Sequence, residues 1–168
     1  MDLVIRAAIQ SDLDAVLAIE HASPTAAHWQ RSQYESAIGD DQRLFLIAER
    51  EHSVVGFLMA STAVQEWELE NIGVVPAARR QGIGVGLMRA LISAGQKAGA
   101  TEIWQEIRAS NLAAQSLGQH VGFVQDGSRS GYYRDPQEDA LLFRYLVQTN
   151  REVTENESSG SEKSGKNG

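Results

Sequence analysis

The chain switches repeatedly between two hydrophobic periods, and that alternation restricts its fold more than any other feature. Leu3-Val4-Ile5-Arg6 reads as a strand. Ser11-Asp12-Leu13-Asp14 opens a helix, with Ser11 a natural N-cap and Asp12 and Asp14 suited to the positive end of the dipole. On it Leu13, Val16, Leu17 and Glu20 share one side. A bend at Ser23-Pro24-Thr25 leads to a second helix, from Trp29 to Ile38, closed by Gly39. Arg43 to Glu49 and Val54 to Thr62 are β-type runs joined by the polar turn Arg50-Glu51-His52-Ser53, which predicts a hairpin. Trp67 to Val75 is another strand, stopped by Pro76. From Gly82 to about Lys97 a helix is expected, because Ile83, Leu87, Ala90, Leu91, Ala94 and Ala98 make one stripe at helical spacing. Thr101 to Arg108 reads as a strand, Asn111 to His120 as a helix, and Phe123 to Gln125 as the start of a strand. Ala140 to Val147 is apolar almost throughout, which predicts a strand buried on both faces or nearly so. The order β α α β β β α β α β β predicts an α/β protein with a mixed sheet and helices on both faces.

At 168 residues the chain is long enough for one domain with a true core and too short for two ordinary ones. That domain is expected over residues 1–148. Residues 149–168 hold Glu, Ser, Gly, Asn and Lys with Val153 as their only aliphatic side chain, the composition of a disordered polar tail. No apolar run approaches the roughly 20 residues needed to cross a bilayer, and Met1-Asp2-Leu3-Val4-Ile5-Arg6 lacks the basic start and apolar stretch of a secretory signal. A cytoplasmic protein is expected, with no membrane partner. There is no cysteine, which excludes disulfides, thiolate metal sites and a cysteine nucleophile; no metal is expected. The formal charge of −7, with no basic stripe, excludes nucleic acid as a partner held through its phosphates. The oligomeric state is left open.

The most informative stretch is Asn71-Ile72-Gly73-Val74-Val75-Pro76-Ala77-Ala78-Arg79-Arg80-Gln81-Gly82-Ile83-Gly84. A strand ends, the chain turns, and a helix begins with glycines at 82, 84 and 86. A helix start carries unpaired N–H groups and the positive end of the dipole. Glycines there let a diphosphate approach the backbone, and Arg79 and Arg80 add charge. Close helix packing is the competing reason for such glycines. The spacing is not the Gly-x-Gly-x-x-Gly of a dinucleotide site, and a Walker Gly-Lys-Ser/Thr is absent.

Arg79-Arg80-Gln81-Gly82-Ile83-Gly84 resembles the Arg/Gln-x-x-Gly-x-Gly/Ala pyrophosphate loop of the GNAT acetyltransferases, and Asn71-Ile72-Gly73-Val74 resembles their central strand. The similarity runs from about Leu3 to Val147. Within that superfamily, Glu106-Ile107-Arg108-Ala109-Ser110-Asn111, Gly122-Phe123, Gly131-Tyr132-Tyr133 and Glu138-Asp139-Ala140 resemble the bacterial ribosomal-protein alanine N-acetyltransferases of the RimI type. The resemblance implies a GNAT fold whose central strands splay apart around acetyl-CoA. It implies that Ile72, Gly73 and Val74 line the pantetheine, that Arg79, Arg80, Gln81, Gly82, Ile83 and Gly84 hold the diphosphate, and that Asn111, a good helix cap in its own right, bonds the pantetheine arm. The acceptor it implies is a protein N-terminus, as on a ribosomal protein.

Acetyl transfer to an amine needs a base for the amine, donors for the oxyanion and an acid for the thiolate. An α-amine, with a pKa near 8 against about 10.4 for lysine, is the easier to deprotonate. By resemblance Glu106 is the base; a carboxylate among apolar neighbours should have a raised pKa. Glu68 and Glu70, sharing one face of the central strand, are alternatives and candidates for binding a cationic amine. For the acid the sequence departs from the family: where a Leu-Tyr-x-x-x-Gly-Phe stretch is usual, Leu117-Gly118-Gln119-His120-Val121-Gly122-Phe123 has glycine in the tyrosine's place. Tyr132 or Tyr133, then solvent, then His120 are the substitutes, and the two tyrosines also line the implied peptide groove. Trp29 belongs to the helix pair on the acceptor side, or simply to the core. Two other readings stand beside N-terminal acetylation. One is an acetyltransferase for a small amine or a lysine side chain; the other is a weakly active coenzyme-A-binding regulatory module.

Overall fold

A computed structural model describes residues 2–23 and 28–148. The expected bend at Ser23-Pro24-Thr25 lies mostly outside the described residues, and the expected polar tail lies wholly outside them. Seven strands, β1 Leu3–Ala7, β2 Arg43–Arg50, β3 Ser53–Ser61, β4 Glu66–Val74, β5 Glu102–Arg108, β6 Val124–Tyr133 and β7 Glu138–Leu146, form one sheet in the order β1-β2-β3-β4-β5-β7-β6. Among the described residues there are four α-helices, α1 Leu13–His21, α2 Arg31–Ala37, α3 Ile83–Ala98 and α4 Leu112–Val121. None of them is long and apolar enough to cross a membrane. The elements follow the order expected from the alternating periods.

Helices cover both faces, and each face has its own core. On one side α1 and α2 pack Leu13, Val16, Ile19 and Tyr34 against Phe45, Ile47, Phe57 and Met59. On the other, α3 places Ile83, Leu87, Met88 and Leu91 against Leu58, Leu69, Ile103, Ile107 and Phe143, with Leu117 of α4 packed alongside. Among the described residues the α1–α2 layer rests on β2, β3 and β4 and leaves the same face of β5, β6 and β7 without a helix. That is why β7 departs from expectation: only Ala140 and Phe143 of it are buried, its other side chains being half-buried or exposed. β6 continues well beyond the start that Phe123 to Gln125 signalled: Gly127 and Gly131 interrupt the pattern, but antiparallel pairing to β7 carries the strand on to Tyr133.

Two local features set the geometry of the cleft. All neighbouring strands are antiparallel except β4 and β5, which run parallel and pair only from Glu66↔Glu102 to Leu69↔Gln105. Beyond that point β4 remains paired to β3 as far as Val74↔Gly56, and β5 to β7 as far as Arg108↔Ala140, so the sheet splits between its two central strands. The split begins at a bulge. Ala60 pairs with Leu69 and Met59 with Asn71, so Glu70 is the extra residue of β4.

The start of α1 differs from expectation. Ser11 lies in a short 3-10 turn, Gln10–Asp12, and Asp12 precedes the helix. The Asp12 carboxylate is drawn away from capping by stronger donors: it accepts the Arg6 guanidinium through both oxygens, at 2.8 Å each, and the Ile9 amide at 2.8 Å. Arg6 also reaches Glu49, which ties β1, β2 and the head of α1 together.

Candidate active site

At the open end of the split stands the start of α3. Gly86 is the first residue there whose amide closes a turn, donating to Gly82 O at 3.0 Å. The amides of Ile83, Gly84 and Val85 are therefore the free donors of a helix N-terminus. The preceding loop is curled by Arg80 at φ 61° and Gly82 at φ 81°, and a Cβ on Gly82 would meet nothing within 4 Å. Gly82 thus supplies conformation and open space. The other two glycines of the run do something different: a Cβ on Gly84 would come within 3.1 Å of Leu117, and one on Gly86 within 3.3 Å of Ile5 and Leu3. Close packing and an open left-handed turn are thus divided between different glycines of this motif. Gly73 also serves packing, since a Cβ there would lie 2.7 Å from Phe57 and 2.9 Å from Ile19. The loop is braced from outside by Arg50, whose guanidinium donates to Gln81, whose amide in turn donates to Ala77 O at 3.4 Å.

The helix-free side of the split carries the polar groups. Glu106 lies beside Arg129, at 3.4 Å, and beside the Tyr132 hydroxyl. Its neighbours are charged and polar, not the apolar surroundings expected, because alternation along β5 sends Ile103, Gln105 and Ile107 into the core and leaves Trp104 and Glu106 on the open face. The carboxyl whose pKa the surroundings raise is Glu68: loss of solvent raises it first, then the proximity of Glu70 and Glu106, with Arg43 and Arg129 opposing. Glu68 and Glu70 do share one face, and Glu70 accepts from Arg43, which lies over the Trp29 ring at 5.9 Å.

Tyr132 and Tyr133 meet edge to face at 5.2 Å. Arg129 lies 5.4 Å from the Tyr132 ring and Arg108 lies 4.3 Å from that of Tyr133. The negative charge of Glu106 pushes the Tyr132 hydroxyl upward, and burial does the same for Tyr133, so both stay protonated at neutral pH. Tyr132 is 48% exposed, open to a macromolecule. Arg108 and the Ser110 amide (2.7 Å) both donate to Glu138, which holds the β5–α4 connection against β7. Asn111 caps α4, its Oδ1 accepting the Ala114 amide at 3.1 Å. His120 is exposed on α4, away from the split. Gly118 is buried against Phe123 and Gln105, where a Cβ would find ordinary contacts of 3.5 and 3.8 Å. Sequence reasoning missed Arg43 and Arg129; each sits in a strand at the spacing of an ordinary surface arginine, and only the folded register brings them to the carboxylates. Among the described residues no three His, Asp or Glu side chains gather as a metal site.

A mixed sheet split between its parallel central strands, with a helix start and two arginines at the mouth of the split, defines an acyl-coenzyme-A N-acyltransferase fold. The model of the acetyltransferase (GNAT) family matches residues 12–123. The [ribosomal protein bS18]-alanine N-acetyltransferase of Escherichia coli (strain K12) is 34% identical over 137 residues, covering 79% of this chain and 89% of that protein. The enzyme of the same name from Haemophilus ducreyi is 31% identical over 142 residues, covering 83% and 97%. The crystal structure of the ribosomal-protein-S18-alanine N-acetyltransferase from Escherichia coli superposes with a TM-score of 0.77 at 30% identity, over 88% of this chain and 96% of that one. The chain belongs to the GNAT acetyltransferase family and is an acetyl-CoA-dependent N-acetyltransferase. The residues present fit the coenzyme: unpaired strand edges flank the split, and free amides with Arg79 and Arg80 stand where a diphosphate needs donors.

Proposed function

We propose that this enzyme acetylates the α-amino group at the N-terminus of a protein, a ribosomal protein being the acceptor class that its relatives' names indicate. The observation that carries the reading is the open carboxylate face beside the split: Glu68, Glu70 and Glu106 face Arg43 and Arg129, one positive charge short of balance, under an exposed Tyr132. An ammonium group supplies the missing charge, and an open face admits a chain where an enclosed pocket would admit only a small amine.

In this reading Glu106 takes one proton of the ammonium, and Tyr132, held protonated beside it, gives one to the departing thiolate and recovers one from the acylated nitrogen as the intermediate collapses, with Tyr133 as the second candidate. Gly118 has no proton to give. Trp29, Glu68, Glu70 and Tyr132 line the acceptor side. Ile72, Gly73 and Val74 present strand backbone to the pantetheine, Asn111 bonds its arm, and the segment from Arg79 through Arg80, Gln81, Gly82 and Ile83 to Gly84 holds the diphosphate. The bound coenzyme supplies the activated acetyl thioester. An α-amine near pKa 8 can be freed by a carboxylate-assisted step at neutral pH far more readily than a lysine near 10.4. The test is release of coenzyme A thiol across a panel of peptides with free N-termini, Nα-blocked lysine peptides and small amines. Preference for free N-termini supports the reading, preference for the blocked peptides or small amines replaces the acceptor, and silence throughout points to a regulatory module.

A further inference from the structure

A carboxylate far from the reacting groups ties the acceptor side to the start of the split. Glu20, in the last turns of α1, is 1% exposed. Its Oε1 accepts three hydrogen bonds: from the Trp29 amide at 2.6 Å, from the Tyr34 hydroxyl at 2.8 Å and from Asn71 Nδ2 at 3.3 Å. Asn71 Nδ2 also donates to the Tyr34 hydroxyl at 2.8 Å, which fixes the sense of the network, since that hydroxyl must then point its proton at Glu20. Tyr34 is fully buried and packed against Trp29, Phe45 and Phe57.

Every donor in this network belongs to an element that shapes the cleft. Asn71 follows the extra residue of β4, at the point where β4 leaves β5. Trp29 heads α2, and its ring lies beside Arg43, which is bonded to Glu70. The contacts close a circuit: Glu20 to Trp29, Trp29 to Arg43, Arg43 to Glu70, and through the chain to Asn71 and back to Glu20. Three donors meet Oε1, so that oxygen must act as an acceptor, while Oε2 is buried without a hydrogen-bond partner of its own. A glutamine could keep its carbonyl oxygen at the Oε1 position and preserve these bonds, whereas a methionine of similar size removes the acceptor altogether. For packing alone, an apolar side chain of the same size would serve α1 as well or better.

We infer that Glu20 is a positioning residue: it locks the bulge of β4 and the Trp29 segment in one arrangement, and so sets the distance between the acceptor-binding groups and the split. This rests on the reading of the Trp29–Glu70 flank as the acceptor side. None of the hydrogen bonds to Glu20 comes from the loop at 79–84 or from α3, so its effect falls chiefly on the acceptor.

The test compares the full chain with Glu20→Met and Tyr34→Phe, using a peptide with N-terminal alanine, acetyl-CoA calorimetry and amide hydrogen exchange. Losing one buried hydrogen bond of this kind predicts a peptide KM raised about tenfold. The acetyl-CoA Kd is expected to stay within about twofold. Exchange should rise together in the segments around Trp29 and Asn71 and stay unchanged in α3, and the double variant should be little worse than either single one. A drop in kcat and stability with both KM values unchanged, or exchange altered in α1 alone, overturns the inference. Tyr34→Phe preserves volume and gives the answer if Glu20→Met folds poorly. A wild-type chain that acetylates no peptide sinks the acceptor reading; the coupled exchange then decides the lock by itself.

Discussion

At the scale of single residues, chemistry is divided between two carboxylates that the sequence alone could not separate. Glu68 and Glu106 both alternate onto the open face, yet Glu106 has Arg129 and a tyrosine hydroxyl beside it while the more exposed Glu68 faces two like charges. Glu106→Gln removes the proposed base and is expected to lower turnover at neutral pH about 10²-fold with little change in acceptor KM; a steady-state assay that finds full activity removes Glu106 from that role. Gly118 makes a prediction of the opposite kind. It sits inside α4 with room for a methyl group, and Gly118→Ala should raise stability by roughly 1 kcal/mol, seen as a higher thermal midpoint, with turnover unchanged. The family resemblance exposed Gly118 as a departure, but no residue pattern could announce that Tyr132 would stand beside Glu106. That pairing comes from the β6–β7 register, which interrupted strands with two glycines conceal.

Among elements, the head of α1 and the start of α3 teach different lessons. A serine before two aspartates reads as a cap, but a half-buried guanidinium outcompetes one backbone amide for a carboxylate, and Asp12 goes to Arg6. Arg6 holds the Asp12 carboxyl below its ordinary 3.8, with a smaller contribution from the Ile9 amide. A depressed folded pKa stabilises above the unfolded value and ceases to do so as pH falls through the folded one. Asp12→Asn is thus expected to cost about 2–3 kcal/mol near pH 7 and progressively less below about pH 4, as denaturant titrations at several pH values will read. At α3, three glycines in one motif have two functions. Gly82→Ala forces a left-handed residue to carry a Cβ in open space, a strain of about 1 kcal/mol placed on the loop that presents the amides. Its expected effect is an acetyl-CoA Kd raised several-fold with the fold intact; unchanged affinity by calorimetry would dissociate the loop from the diphosphate.

Across the whole molecule, the alternation of periods was enough to order the elements, because helices and strands bury their stripes and faces in different rhythms. It could not show that one face of β5, β6 and β7 lacks a helix, since an apolar run such as Ala140 to Val147 reads as buried whether or not anything covers it. Nor could it show the split, which depends on a one-residue bulge at Glu70 with no composition signal. Those two features, an uncovered half-face and a parted pair of strands, turn a common α/β sheet into a place where a thioester meets an amine. The most direct measurement is the position of the acetyl group, read by mass spectrometry, on a peptide that has an N-terminal alanine and an internal lysine after incubation with the enzyme and acetyl-CoA. The account predicts a single acetyl on the α-amine; acetyl on the lysine, or none on the peptide at all, would contradict it.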